Sequence, residues 1–424
     1  MTFARRVAGL AWALAFSLIA LHARQDWRQS SLAAFDETWQ TINDSFYDPS
    51  FGGLDWSGVR AELRPRAERA DSPDTVRALI VDILDRLKQS HFVLLTTSPV
   101  GRPLAGEASV PIEVRATADG LVVTRVRGTA LAASVRPGDV VAAIDGSDPM
   151  AEAAGADDRA RRLDAWRRAS SLLHGAMGST ARLVVVELDG TARTVDAARE
   201  HPQGEVVQMG NLPPLRVETE ARDVRSPAGR RVGVIRFNVW MAPVAGPFAS
   251  AIDTYRHADG LVIDLRGNPG GLAEMMRGIA GHVMTRPDLV GRMEMRGSTL
   301  EFRANPRRST SDGRAVEPYS GPLAILVDEL TASASECFAG GLQDLGRARV
   351  FGAQTTGQAL PAATRPLANG DVLMYAIADF VTSTGRRLEG RGVVPDEPVT
   401  RSRAALAAGR DEPLERALAW IDRQ

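Results

Sequence analysis

The chain has 424 residues, 44% of them hydrophobic and 24% charged, enough for about three domains with buried cores. Its 51 basic and 52 acidic groups nearly cancel, so charge gives no reason to expect a nucleic-acid partner. The one cysteine, Cys337, cannot form an internal disulfide, and no His, Cys, Asp or Glu set has metal-ligand spacing, so neither metal nor cofactor is expected. At the N-terminus Arg5 and Arg6 precede the apolar run Val7–Leu21, with small residues Ala20 and Ala23 near its end. That order predicts an export signal peptide over 1–23. Its removal leaves 49 basic and 52 acidic groups. An apolar run of about 15 residues is short for a membrane span. A periplasmic or secreted protein with no membrane insertion after cleavage is therefore expected, an uncleaved anchor being the alternative. No cysteine follows the run, which argues against lipoprotein attachment.

Residues 30–103 predict a helical domain. Phe35, Trp39, Ile42 and Phe46 fall at helical spacing, as do Val76, Leu79, Ile80, Ile83, Leu84 and Leu87. Tyr47-Asp48-Pro49 and Gly52-Gly53 mark a loop between them. Residues 105–200 open with the strand pattern Gly120–Val126. They continue through Ala130–Val135 to the turn and strand Arg136-Pro137-Gly138-Asp139-Val140-Val141-Ala142-Ala143-Ile144. Leu183–Glu187 would close the sheet, with Ala151–Ser170 a solvated helix inside the module. This segment resembles a PDZ domain, which holds an extended peptide by strand addition. A β-rich insertion that only buttresses the rest is the plainer alternative.

Residues 206–424 alternate strand and helix patterns. Val232–Val239 reads as a strand, Phe248–Tyr255 as a helix, Leu261–Leu265 as a strand and Ala273–Val283 as a helix. That alternation predicts an α/β layer structure with a mostly parallel or mixed sheet. Two strand-to-helix turns carry the chemistry. In one, Leu323–Val327 runs into Thr331-Ala332-Ser333-Ala334-Ser335-Glu336 and then a helix through Phe338, Ala339 and Leu342. A serine at that turn lies among free N–H groups at the positive end of a helix dipole, as a nucleophile needs. The plainer reading is a Ser-x-x-Glu helix cap from Ser333 to Glu336. In the other turn, Gly260–Arg266 runs into Gly267-Asn268-Pro269-Gly270-Gly271, a glycine-rich turn without dinucleotide or P-loop spacing.

Together, the Asp-Leu-Arg-Gly-Asn-Pro-Gly-Gly and Thr-Ala-Ser-Ala-Ser-Glu runs resemble the tricorn and C-terminal-processing family of serine peptidases. The likeness continues through Thr355-Thr356-Gly357, Glu389-Gly390 and Gly392-Val393-Val394-Pro395-Asp396, covering nearly all of 30–424. It implies a crotonase-like ββα spiral peptidase core over 206–424, behind the N-terminal helical domain and the PDZ domain. It implies Ser333 as nucleophile, with an oxyanion hole from the Ala334 N–H and a glycine N–H, Gly270 or Gly271. Asp264, Arg266 and Asp396 take structural roles in this reading.

One branch of the family uses a lysine base 25 residues after the serine, but here that position is Gln358, whose amide cannot take the proton. The only lysine in the chain is Lys88, read as a solvated helix position. The other branch uses histidine, and Leu87-Lys88-Gln89-Ser90-His91-Phe92 resembles the segment that carries it, except that Lys88 stands where glycine is usual. The resemblance implies His91 as base, with Ser90 and Glu389 completing a relay. Two functions follow. One is an extracytoplasmic serine peptidase acting on peptides or proteins, with homo-oligomerisation left open. The other is an inactive pseudopeptidase that binds protein C-termini through its PDZ domain, an alternative motivated by Gln358.

Overall fold

A computed structural model describes residues 27–96, 98, 102, 103, 108–155, 157–208 and 214–424. The leader read at 1–23 lies outside the described residues. The chain divides into two compact units. One takes the N-terminal segment to 104 with 294–298 and 360–379, and the other takes the remainder.

The first unit is built on helices over 27–45, Trp56–Glu68 and Pro73–Asp85. The second begins where the Asp55 carboxylate accepts from the Gly58 N–H, and the third where Ser72 caps Thr75 ahead of Pro73. Phe35, Ile42, Phe46, Leu63, Ile80 and Ile83 form its buried centre, as their spacing predicts. Strand Val93–Thr96 follows and pairs antiparallel with Val372–Ala376, which pairs with Ala362–Pro366. These two strands departed from the reading of 206–424 as a single block. Leu360, Leu367, Leu373 and Ala376 bury in the helical core, a partnership between distant segments that local periodicity does not reveal.

The second unit holds a six-stranded sheet in the order Thr219–Arg225, Arg231–Phe237, Gly260–Asp264, Leu323–Val327, Arg349–Gly352, Glu397–Pro398. The first pair is antiparallel and the others are parallel, giving the mixed sheet expected. Ile235, Ile263, Ile325 and Val327 face helices Ala245–Tyr255, Met275–Gly281 and Ala334–Asp344. Val232, Val234, Val262, Ala324 and Leu326 face the C-terminal helix Glu412–Ile421 on the other side. Helices on both faces are what an internal parallel sheet requires.

The same unit contains a five-stranded antiparallel sheet, in the order Ile112–Thr117, Gly120–Val126, Val140–Ile144, Thr180–Val186, Ala192–Ala198. Its helix is Asp158–Leu173 rather than Ala151–Ser170, because the Asp157 carboxylate caps the Ala160 N–H and fixes the start there. Arginines tie this module to the larger sheet. Arg115 pairs with Asp328 at 2.7 Å, both side chains buried. Arg236 pairs with Glu113 at 2.8 Å, and Arg125 with Glu220 at 2.7 Å. Arg403 donates to the Gly138, Val186 and Glu187 carbonyls, and Arg159 to the Thr355 carbonyl. Among the described residues no helix is long and apolar enough to cross a membrane.

Candidate active site

Strand Leu323–Val327 is buried throughout and ends at Asp328. The Thr331 hydroxyl then donates to the Leu265 carbonyl, and the Ala332 N–H to the Asn268 carbonyl, so the two strand-to-helix turns are stitched together. Ser333 follows with φ 53° and ψ −123°, immediately before helix Ala334–Asp344. A non-glycine residue in that region is strained, and such strain persists only where the surroundings impose it. Here the Ser333 N–H donates to the Gln358 carbonyl at 2.8 Å and to the Glu336 carboxylate at 3.1 Å. The cap reading is thus realised through the Glu336 carboxylate, on a serine whose backbone is not that of an ordinary cap.

Glu336 is fully buried and collects four donors. Its Oε1 accepts from the Thr355 hydroxyl and the Gly357 N–H, and its Oε2 from the Ser333 and Gln358 N–H groups. Burial pushes its carboxyl up to about 7 against the pull of those donors. The sequence reading saw only a cap at this position. Its signal was the Ser-x-x-Glu spacing, but the partners at 355, 357 and 358 arrive from another segment.

The glycine turn packs against the serine. A Cβ on Gly270 would lie 2.6 Å from the Ser333 Cβ and 2.9 Å from the Ala334 nitrogen, and one on Gly271 would lie 2.4 Å from the Trp240 carbonyl oxygen. Both glycines also have positive φ, 97° and 136°. No other residue fits either position. The Gly270 N–H donates to the Asn268 side chain at 3.0 Å, while among the described residues the Gly271 and Ala334 N–H groups have no acceptor. Asn268, also missed by the sequence reading, is fully buried and anchors its amide on the Phe237 carbonyl at 2.9 Å.

Ser90 and His91 belong to the first unit, where the Ser90 hydroxyl lies 2.7 Å from His91 Nδ1. They sit between helix Pro73–Asp85 and strand Val93–Thr96, on a turn in which Lys88 has φ 52° and His91 φ 63°. A positive φ at position 88 is the conformation glycine adopts at least cost, and Lys88 is exposed there. Glu389 belongs to the second unit, and its carboxylate accepts from the Ala359 N–H at 2.9 Å. Glu336 and Glu389 therefore hold three successive N–H groups of the 357–359 segment. Asp264 and Asp411 clamp the Arg266 guanidinium, and the Asp396 carboxylate accepts from the Val350 N–H at 2.8 Å. Cys337 is buried in the helix. Among the described residues no group of three His, Cys, Asp or Glu could hold a metal.

Residues 231–399 match the model of peptidase family S41, and residues 23–85 that of the tricorn protease C1 domain. A carboxyl-terminal-processing protease of Synechocystis sp. is 26% identical over 413 residues, covering 93% of this chain and 89% of the relative. The chain carries a peptidase family S41 domain over residues 231–399. It is a serine peptidase of the carboxyl-terminal-processing type, a hydrolase of peptide bonds. A second such protease, from Picosynechococcus sp., is 28% identical over 376 residues and covers 86% of this chain and 82% of its own length. Among solved structures, the photosystem II D1 C-terminal processing protease has a TM-score of 0.58 at 22% identity, covering 92% of this chain and 97% of that one. Mature CPAF has a TM-score of 0.61 at 15% identity, covering 93% and 96%. These likenesses show the fold, a mixed α/β arrangement of several sheets and helices.

Proposed function

We propose that this S41 peptidase is an extracytoplasmic enzyme in which Ser333 is the nucleophile and His91 the base. The observation that carries the reading is the strained Ser333, held at a helix N-terminus against Gly270. Ser333 Oγ attacks the scissile carbonyl carbon while its proton passes to His91 Nε2. The Ser90 hydroxyl, 2.7 Å from Nδ1, orients the ring for that role. The carbonyl π electrons move onto oxygen, and the Ala334 and Gly271 N–H groups stabilise that oxyanion. Gly271 is preferred to Gly270 because the Gly270 N–H is committed to Asn268. Collapse breaks the C–N bond, and His91 returns the proton to the leaving amine. Water, deprotonated by His91, then hydrolyses the ester by the same steps. Glu389 completes the relay with Ser90 as part of this proposal.

The peptidase comprises a helical domain over 30–103, a PDZ-type module over 105–200 and a crotonase-like spiral core within 206–424, from which strands Ala362–Pro366 and Val372–Ala376 fold with the helical domain. A cavity of about 400 Å³ supports a peptide-binding role for the module. It is lined by Arg115, Leu163 and Trp166 on the module side and by Glu329, Thr356 and Arg401 on the core side. An extended protein tail, pairing with strand Ile112–Thr117, is the substrate class this geometry fits. Export rests on Arg5, Arg6 and the apolar run that follows them. The deciding experiment is labelling of the purified protein with a fluorophosphonate. Labelling that disappears in Ser333→Ala, together with peptide hydrolysis, supports the reading. Full hydrolysis by Ser333→Ala would overturn it.

A further inference from the structure

The Gly270-Gly271 turn and the helix that begins at Ala334 come from different segments, so something must fix the distance between their free N–H groups. Trp240 touches both. Its backbone N–H donates to the Gly270 carbonyl at 2.8 Å, and its carbonyl accepts from the Leu272 N–H at 2.7 Å, bracketing Gly271 on either side. Its indole Nε1–H donates to the Ser335 hydroxyl at 2.8 Å, on the first turn of the serine helix. Trp240 and Ser335 are both fully buried. The ring is wedged between Phe237 and Phe338, with centroids 4.8 Å and 5.0 Å away. A buried indole N–H needs an acceptor, and here that acceptor is the serine two residues after Ser333, so the same residue that brackets Gly271 is tied to the serine helix.

We propose that Trp240 is a positioning residue for the oxyanion hole, a strut whose backbone carries Gly271 and whose indole is locked to the serine helix through Ser335. The inference rests on the assignment of Gly271 and Ala334 as oxyanion donors. The buried second serine of Ser333-Ala334-Ser335 thereby acquires a role that its neighbour's chemistry does not explain. Breaking the indole–hydroxyl bond frees the glycine turn to shift relative to Ala334. A displacement of about 1 Å at a reacting centre can cost roughly 100-fold in rate.

The test uses the full chain with Trp240→Phe, Ser335→Ala and the double variant. Trp240→Phe keeps an aromatic ring and loses the donor, whereas Ser335→Ala loses the acceptor. Each single variant should lower kcat by about 10- to 100-fold with KM within about twofold, and the affinity of a peptide aldehyde should fall in parallel with kcat/KM. The double variant removes both partners, so the melting temperature should recover toward wild type while kcat stays low. A purely structural role predicts that activity recovers together with stability, and that outcome would overturn the proposal. So would wild-type kcat in both single variants when Ser333→Ala is inactive. Activity in Ser333→Ala would instead remove the underlying nucleophile assignment.

Discussion

Replacing Glu336 by glutamine tests whether this buried carboxylate sets the Ser333 turn. The substitution keeps one oxygen and puts an NH₂ group where two of the four donors point, so two of the Ser333, Thr355, Gly357 and Gln358 groups lose an acceptor. At about 1–3 kcal/mol for each buried group left unsatisfied, the loss should be about 2–6 kcal/mol. Activity should fall by at least 10-fold, since the strained φ of Ser333 loses part of what holds it. The pH dependence is more diagnostic. Burial raises the Glu336 carboxyl from 4.5 to about 7, so the folded state binds a proton there that the unfolded state has released. The stabilisation of the neutral form is fully present below about pH 4.5 and is lost as pH rises through about 7. At 1.36 kcal/mol per unit, the wild type should lose about 3 kcal/mol across that window relative to Glu336→Gln. Urea unfolding of both proteins at pH 4.5 and pH 8 measures it. A wild type that gains stability over Glu336→Gln as pH rises would show that the four donors outweigh burial, and would refute the reasoning.

Two further outcomes follow. His91→Ala should lower kcat by about 10³- to 10⁴-fold while Lys88→Ala stays near wild type; an inactive Lys88→Ala beside an active His91→Ala would make the lysine the base. Arg115→Ala should cost about 3–5 kcal/mol in chemical denaturation because it removes the closest cationic partner of buried Asp328, and a loss below about 1 kcal/mol would contradict the buried-pair account.

That last interaction also bears on how the proposed peptide-binding module should be probed. Deleting residues 108–198 would strip Asp328 of Arg115, Arg236 of Glu113 and the Thr355 carbonyl of Arg159. The 355–358 segment that serves Glu336 would lose an anchor in the same step. Loss of activity after such a deletion would therefore not separate substrate tethering from damage to the Ser333 turn. Single substitutions in the cavity wall, such as Trp166→Ala, leave those charge pairs in place.

The sequence alone carried what is local in this protein. Buried strand runs at 260–264 and 323–327, the helix after Ser333 and the paired glycines at 270 and 271 were legible because each depends on residues within a turn or two. So was the absence of a lysine at position 358, which excludes one base by composition. Tertiary structure decided the rest. Glu336 reads as a cap until Thr355, Gly357 and Gln358 fold onto it, and Gly270 could stand beside Gly271 as a donor until Asn268 takes its N–H. Strand Val93–Thr96 finds its partner at Val372–Ala376, and Arg115 finds Asp328. These pairings join segments far apart in the chain, and no periodicity encodes them. They are chosen by which buried donors, acceptors and charges must be matched once the sheets have closed around them.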